Sequence, residues 1–224
     1  MLMKRIVEPE LMEEEAQSLA YAEADFEQPH SYFIQLFQEK FANYIPDNVL
    51  DLGCGTGDIT LRFAKAYSDC NIHGIDGSKT MLAYAYKDLA NCHQNVIQRV
   101  KLIEGILPEI SLPLSHYDVI ISNSLLHHLH DPFVLWRSLR QYSQPGTKIF
   151  IMDLLRPESM EEADKLVKNY AQNEQLILQR DFFNSLCAAF SISEVKEQLL
   201  NQNLDYLFLE QISDRHFIIF GEYQ

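Results

Sequence analysis

Three glycines and two carboxylates carry the chemistry most readily read from this chain. Gly53, Gly55 and Gly57 fall within five residues, between an apolar run and a stretch of helical periodicity. A strand, a glycine turn and a helix N-terminus in that order bring bare backbone against a ligand. Asp51 lies inside the first strand, where an apolar sheet has no ordinary use for an acid. Asp76 ends the second strand, where a carboxylate can accept from both hydroxyls of a ribose. The Gly-x-Gly-x-Gly spacing is tighter than the dinucleotide Gly-x-Gly-x-x-Gly, which points to another nucleotide-like ligand. His127, His128 and His130 form a second group, titrating near neutral pH. Only Asp131 near them in sequence could complete a metal set, so no metal is read from them.

These residues need elements to hold them. Asn48–Leu52 reads as a strand, and Gly57–Tyr67 as a helix with Ile59, Phe63, Ala66 and Tyr67 inward and Leu61 at the edge. Asn71–Asp76 is a second strand, followed by a helix that Ser78 caps and that carries Met81, Leu82, Tyr84 and Leu89. Further strands are expected at Val100–Ile103, Tyr117–Asn123 and Lys148–Leu154, with a helix opened by Asp131-Pro132. Alternating strands and helices mean crossovers, hence a mainly parallel sheet covered on both faces. A helix from Ser193 to about Leu200 precedes two closely spaced strands, Leu204–Glu210 and Arg215–Gly221, which pair antiparallel.

Two flanking stretches fall outside the alternation. Residues 1–30 hold an acidic helical segment ended by Phe26, Pro29 and His30, and Ser31 is expected to cap the next helix to Tyr44. Tyr21, Phe26 and Tyr32 form an aromatic series exceeding what a solvated arm needs. Residues 156–190 carry two helical stretches with no strand between them. The expectation is one domain over 1–224, with 1–30 as a lid segment and 156–190 as a helical insertion over the sheet's carboxyl edge.

Composition sets limits. The 224 residues are 47% hydrophobic and 22% charged, enough for a large core without disulfide or metal support. The 4 cysteines are scattered and read as reduced thiols in a cytoplasmic protein. A net charge of -14 disfavours nucleic acid, and no apolar run is long enough for a membrane span. No feature encodes the oligomeric state.

Val49-Leu50-Asp51-Leu52-Gly53-Cys54-Gly55-Thr56-Gly57 resembles the first motif of class I S-adenosylmethionine-dependent methyltransferases. His73-Gly74-Ile75-Asp76-Gly77-Ser78 with Met81 resembles their second, and the run from Tyr117 through His128 to Leu129 their fourth. The matches are ordered over residues 49–154, and Glu8-Pro9-Glu10-Leu11-Met12 resembles a small subgroup of uncharacterised members. The resemblance implies an α/β, Rossmann-like, doubly wound seven-stranded sheet, mostly parallel with a C-terminal antiparallel strand and helices on both faces. It implies S-adenosyl-L-methionine as cofactor. Gly53, Cys54 and Gly55 would offer backbone to its methionine part, with Gly57 completing the turn. Asp51 would hold its amino group, Asp76 the ribose, Gly77 and Met81 the adenine, and Asn123 would lie beside the sulfonium. The family's Gly-Asp after the third strand is here Gly105-Ile106, leaving backbone for that contact. Tyr21 joins the cofactor set. Tyr21, Phe26, Asp181, Phe182 and Phe183 are candidates to line an acceptor pocket.

Such chemistry asks the protein to align an acceptor and exclude water. An acceptor bearing a proton also needs a base, and His127 and His128 are the candidates. The expected function is methyl transfer to a small-molecule acceptor. Its rivals are an NAD-dependent oxidoreductase and a non-catalytic S-adenosylmethionine-binding protein. A nucleic-acid methyltransferase is opposed by charge, and by Ser122-Asn123-Ser124-Leu125 where enzymes acting on bases have a Pro-Pro-aromatic run.

Overall fold

Side-chain alternation in β1 (Asn48–Leu52) sets the architecture of the computed structural model, which describes residues 3–224. Val49 enters one core cluster, while Leu50 and Leu52 enter another on the opposite face. The first face is covered by α2 (Glu27–Lys40), α3 (Asp58–Ala66), α4 (Lys79–Ala90) and α5 (Gln94–Arg99). Phe33 and Phe37 of α2 meet Phe63 of α3 and Phe150 of the sheet there, with Phe33 edge-on to Phe150 at 4.9 Å between centroids. The second face is covered by α6 (Phe133–Tyr142) and α9 (Ile192–Asn201), around the buried Trp136, whose indole N–H donates to Gln198 at 3.1 Å.

The remaining strands are β2 (Asn71–Asp76), β3 (Val100–Glu104), β4 (Val119–Asn123), β5 (Lys148–Leu154), β6 (Phe208–Gln211) and β7 (His216–Glu222). The sheet runs β3-β2-β1-β4-β5-β7-β6, with β7 reversed against both β5 and β6 and the other pairs parallel. This is the seven-stranded, doubly wound sheet expected. Chain order reverses between β1 and β4, so the crevice beyond their carboxyl ends is the place for a ligand.

α1 (Glu15–Glu23) precedes α2, and α7 (Met160–Tyr170) and α8 (Leu176–Ala188) fill the stretch after β5. Leu154, Ala163, Leu166 and Leu186 form a third cluster, against which Met3 and Phe183 pack. The segment before α1 is therefore seated on α8: Ile6 N–H donates to Cys187 O at 3.0 Å.

Several local expectations need correction. Ser31 caps nothing, because α2 begins at Glu27, and its hydroxyl donates back to Glu27 at 2.7 Å. Pro29 and His30 lie inside α2, not at a break. Pro29 is the third helical residue, where a missing N–H costs no helical bond. Ala66 is exposed, and Leu61 and Ala64 are buried instead, because the inward face of α3 is broader than a four-residue stripe. β6 starts at Phe208, not Leu204, whose side chain is buried before the strand begins. The six-residue α5 was not expected from periodicity.

Candidate active site

A cavity of about 650 Å³ opens at the β1/β4 switch point. Its lining brings together Tyr21, Asp51, Gly53, Cys54, Gly55, Asp76, Gly77, Met81, Gly105, Ile106, Asn123, His127 and His128. Gly57 does not border it: its left-handed φ of 78° turns the chain into α3. Phe26, Asp181 and Phe182 line it as well, whereas Phe183 packs into the third core cluster.

At one end, the glycine turn is built for close approach. Gly53 has φ +74°, and a Cβ there would stand 2.8 Å from Leu125 Cδ1, so a side chain would both strain the turn and fill the cradle. The turn is docked through its own amides. Gly53 and Cys54 N–H both donate to Ile75 O at 2.9 Å, and Gly55 N–H donates to Asp76 Oδ2 at 2.8 Å. This corrects the idea that these amides wait for a ligand: what remains to offer is carbonyl oxygen, suited to a cationic donor. The second oxygen of Asp76 accepts from Ser78 N–H at 2.7 Å. Each carboxylate oxygen can accept twice, so both keep capacity for a hydroxyl. Asp51, on the α3 side of β1, accepts from Thr60 Oγ1 at 2.5 Å. Burial pushes its pKa up to about 7 against the Thr60 hydrogen bond, with Asp76 adding to the rise. Burial also raises the Cys54 thiol, which stays neutral and unreactive. Asn123 Oδ1 is buried with no hydrogen-bond partner.

The segment before α1 and the start of α2 close this end. Met12 O accepts from Ser78 Oγ at 2.6 Å and from Thr80 Oγ1 at 3.1 Å. Leu11 lies so close over Gly77 that a Cβ there would come within 2.8 Å of it. The Tyr21 ring lies tilted against Phe26 at 4.6 Å between centroids, and Phe26 stacks on His30 at 5.0 Å. His30 Nδ1 is 2.6 Å from Asp58.

The other end is polar and buried. His127 Nδ1 is 2.6 Å from Asp153 Oδ1, and the carboxylate is fixed by N–H donation from Leu126 at 2.7 Å and Leu154 at 2.8 Å. With Nδ1 tied, Nε2 is the free nitrogen, 3.7 Å from Glu8 Oε1. His128 Nδ1 is 3.4 Å from the same oxygen. Burial works to lower the His127 pKa, but the charge and hydrogen bond of Asp153 outweigh it and the value is raised. Burial and the neighbouring His127 pull His128 down to about 3, leaving it a weak base. Burial raises Glu8, against the attraction of His127. Asp181 Oδ2 is buried here without a partner.

Sequence reasoning missed Asp153 and gave Glu8 no chemical role. The signal for Asp153 was present: it is an acid inside an apolar strand, as Asp51 is. Glu8 carried none, since its place depends on how a distant segment folds back.

The fold is the one seen in solved S-adenosylmethionine-dependent methyltransferases. Residues 50–149 match the family model of a methyltransferase domain. The chain is similar to the malonyl-[acyl-carrier protein] O-methyltransferase of Halalkalibacterium halodurans, 32% identical over 118 residues, covering 50% of this chain and 42% of that protein. It is also similar to the protein arginine N-methyltransferase 1 of Schizosaccharomyces pombe, 30% identical over 117 residues, covering 52% of this chain and 29% of that protein. The chain thus spans less than half the length of these relatives. Among solved structures, a SAM-dependent methyltransferase from Aquifex aeolicus superposes with a TM-score of 0.65 at 16% identity, covering 91% of this chain and 96% of that one.

Proposed function

We propose that this chain transfers a methyl group from S-adenosylmethionine to a small-molecule acceptor. One observation carries the reading: a single cavity joins the glycine turn, Asp51, Asp76 and Asn123 to the cluster of Glu8, His127 and His128. The acceptors suit the cofactor. Asp76 would take the ribose hydroxyls, and Asp51 with the turn carbonyls would take the ammonium. Asn123 would use its unpartnered oxygen beside them, and backbone of Gly105 and Ile106 would border the adenine. When bound, the cofactor supplies a methyl already activated on sulfur. The chain's own residues then position the acceptor and keep water out, through the segment carrying Leu11 and Met12 and through α8. His127 activates the acceptor at its free Nε2. His128 shapes the same corner.

The cavity of about 650 Å³, lined by Leu11 and Met12 on one side and by Leu178 and Phe182 of α8 on the other, supports an acceptor group of modest size. Equilibrium calorimetry tests the cofactor assignment: S-adenosylhomocysteine should bind at one per chain and NADH should give no heat. Binding of NADH alone would replace this reading with the oxidoreductase. Transfer of labelled methyl into a metabolite pool tests catalysis, and binding without transfer would favour a non-catalytic protein.

A further inference from the structure

We propose that Glu8, His127 and His128 form a three-ligand site for a divalent transition-metal ion, zinc fitting best, with the fourth position open to the cavity. Two donors each about 2.1 Å from one tetrahedral ion lie ~3.4 Å apart. Glu8 Oε1 is 3.4 Å from His128 Nδ1 and 3.7 Å from His127 Nε2, and one donor atom from each of the three side chains falls within 4.8 Å of the others. These separations suit a shared ion, which would take His128 Nδ1 from its 3.4 Å contact with Pro9 O. Glu8 Oε1 is buried and has no hydrogen-bond partner, so it is an acceptor aimed at something absent from the chain itself.

The surroundings fit the same use. His127 holds Asp153 through Nδ1 at 2.6 Å, the carboxylate–histidine support that fixes a metal-binding imidazole, and two backbone amides in turn fix Asp153. Two imidazoles and one carboxylate select zinc and its neighbours over magnesium or calcium, which take oxygen ligands. Three protein ligands with one position open is the pattern of a catalytic centre, not a structural one. The carboxylate arrives from the chain's N-terminal segment, so the ion would also pin that segment across the cavity.

Resting on the methyltransfer reading, the open position would hold an acceptor hydroxyl and lower its pKa, its proton leaving to water, so that the acceptor class is a hydroxyl compound. His127 then acts as ligand, and the base role belongs to the metal-free state. Ion binding itself does not depend on that reading.

The test uses the tag-free full chain, stripped with chelator and titrated with zinc, cobalt(II) and magnesium. The expected result is one zinc per chain at about 1 μM or tighter, the visible spectrum of tetrahedral cobalt, and no magnesium binding. Glu8→Gln and His128→Gln should each weaken zinc at least about tenfold, and Asp153→Asn about 10–100-fold. Failure of the unaltered chain to bind zinc or to give the cobalt spectrum would overturn the proposal, whatever the variants do. So would zinc binding undiminished in folded Glu8→Gln and His128→Gln. S-adenosylhomocysteine titrated into the same stripped sample separates the two readings: its binding without zinc leaves the methyltransferase reading standing alone, and zinc without it leaves the metal site alone.

Discussion

Asp51 occupies the least favourable place for a charge in the sheet, buried at 1% exposure with one hydroxyl donor. Its folded pKa of about 7 lies above the ordinary aspartate value of ~3.9. Between those values the folded state binds more protons than the unfolded one, so this group's contribution to stability falls as pH rises from about 4 to about 7. Asp51→Asn removes that loss while keeping an acceptor for Thr60. Denaturant unfolding from pH 4.5 to 8 should therefore show the variant gaining on the parent, by roughly 1.4 kcal/mol per pH unit at most, then levelling above 7. Parallel stability curves would mean Asp51 is ionised throughout. Burial raises Asp76 as well, but there the backbone amides of Ser78, Gly55 and Gly77 work against the rise. Asp76→Ala should weaken S-adenosylhomocysteine by about 1–3 kcal/mol. It should also lower the melting temperature, since Gly55 and Ser78 lose their acceptor. Unchanged affinity by calorimetry well below the melt would move the ribose elsewhere.

At the scale of elements, the segment before α1 decides whether the cavity is covered. Arg5 is its main fastening: its guanidinium donates to His127 O at 2.8 Å and Leu129 O at 2.9 Å, and lies 3.9 Å over the Phe190 ring. Arg5→Ala gives up charged hydrogen bonds of about 1.5–3 kcal/mol each. If only 1.4 kcal/mol of that reaches the local opening equilibrium, the open population rises about tenfold. Limited proteolysis within residues 3–24 should then speed up by that factor or more, while circular dichroism of the sheet stays unchanged; an unaltered cleavage rate would place the fastening elsewhere. This segment also marks where the sequence stops being readable. β1, β2, β4 and β5 were legible because each is a local, largely apolar run, and the glycine turn because its spacing is itself the structure. The contact of Arg5 with His127 joins residues 122 apart, and no periodicity encodes it. Ser31 failed as a cap for a related reason: a serine near a helix start reads alike whether it terminates the backbone or bonds a glutamate one turn back.

Across the molecule, the cavity is lined from Glu8 to His216, by both flanking segments and by the loops after β1, β2, β3 and β4. A ligand held there ties together parts of the chain that would otherwise open separately, so its binding energy adds to the stability of the whole fold. Saturation at a hundred times the dissociation constant adds about 2.7 kcal/mol. A chain of 224 residues gains about 2–4 °C for each kcal/mol. S-adenosylhomocysteine at that excess should therefore raise the melting temperature by about 5–11 °C in one cooperative transition. NADH at the same concentration should leave it unmoved, since the tight turn and the Leu11 cover leave the glycine loop fitted to a mononucleoside. A shift confined to a minor early transition would show that the ligand orders only the covering segments. The cavity would then be a feature of the closed lid, not of the sheet beneath it.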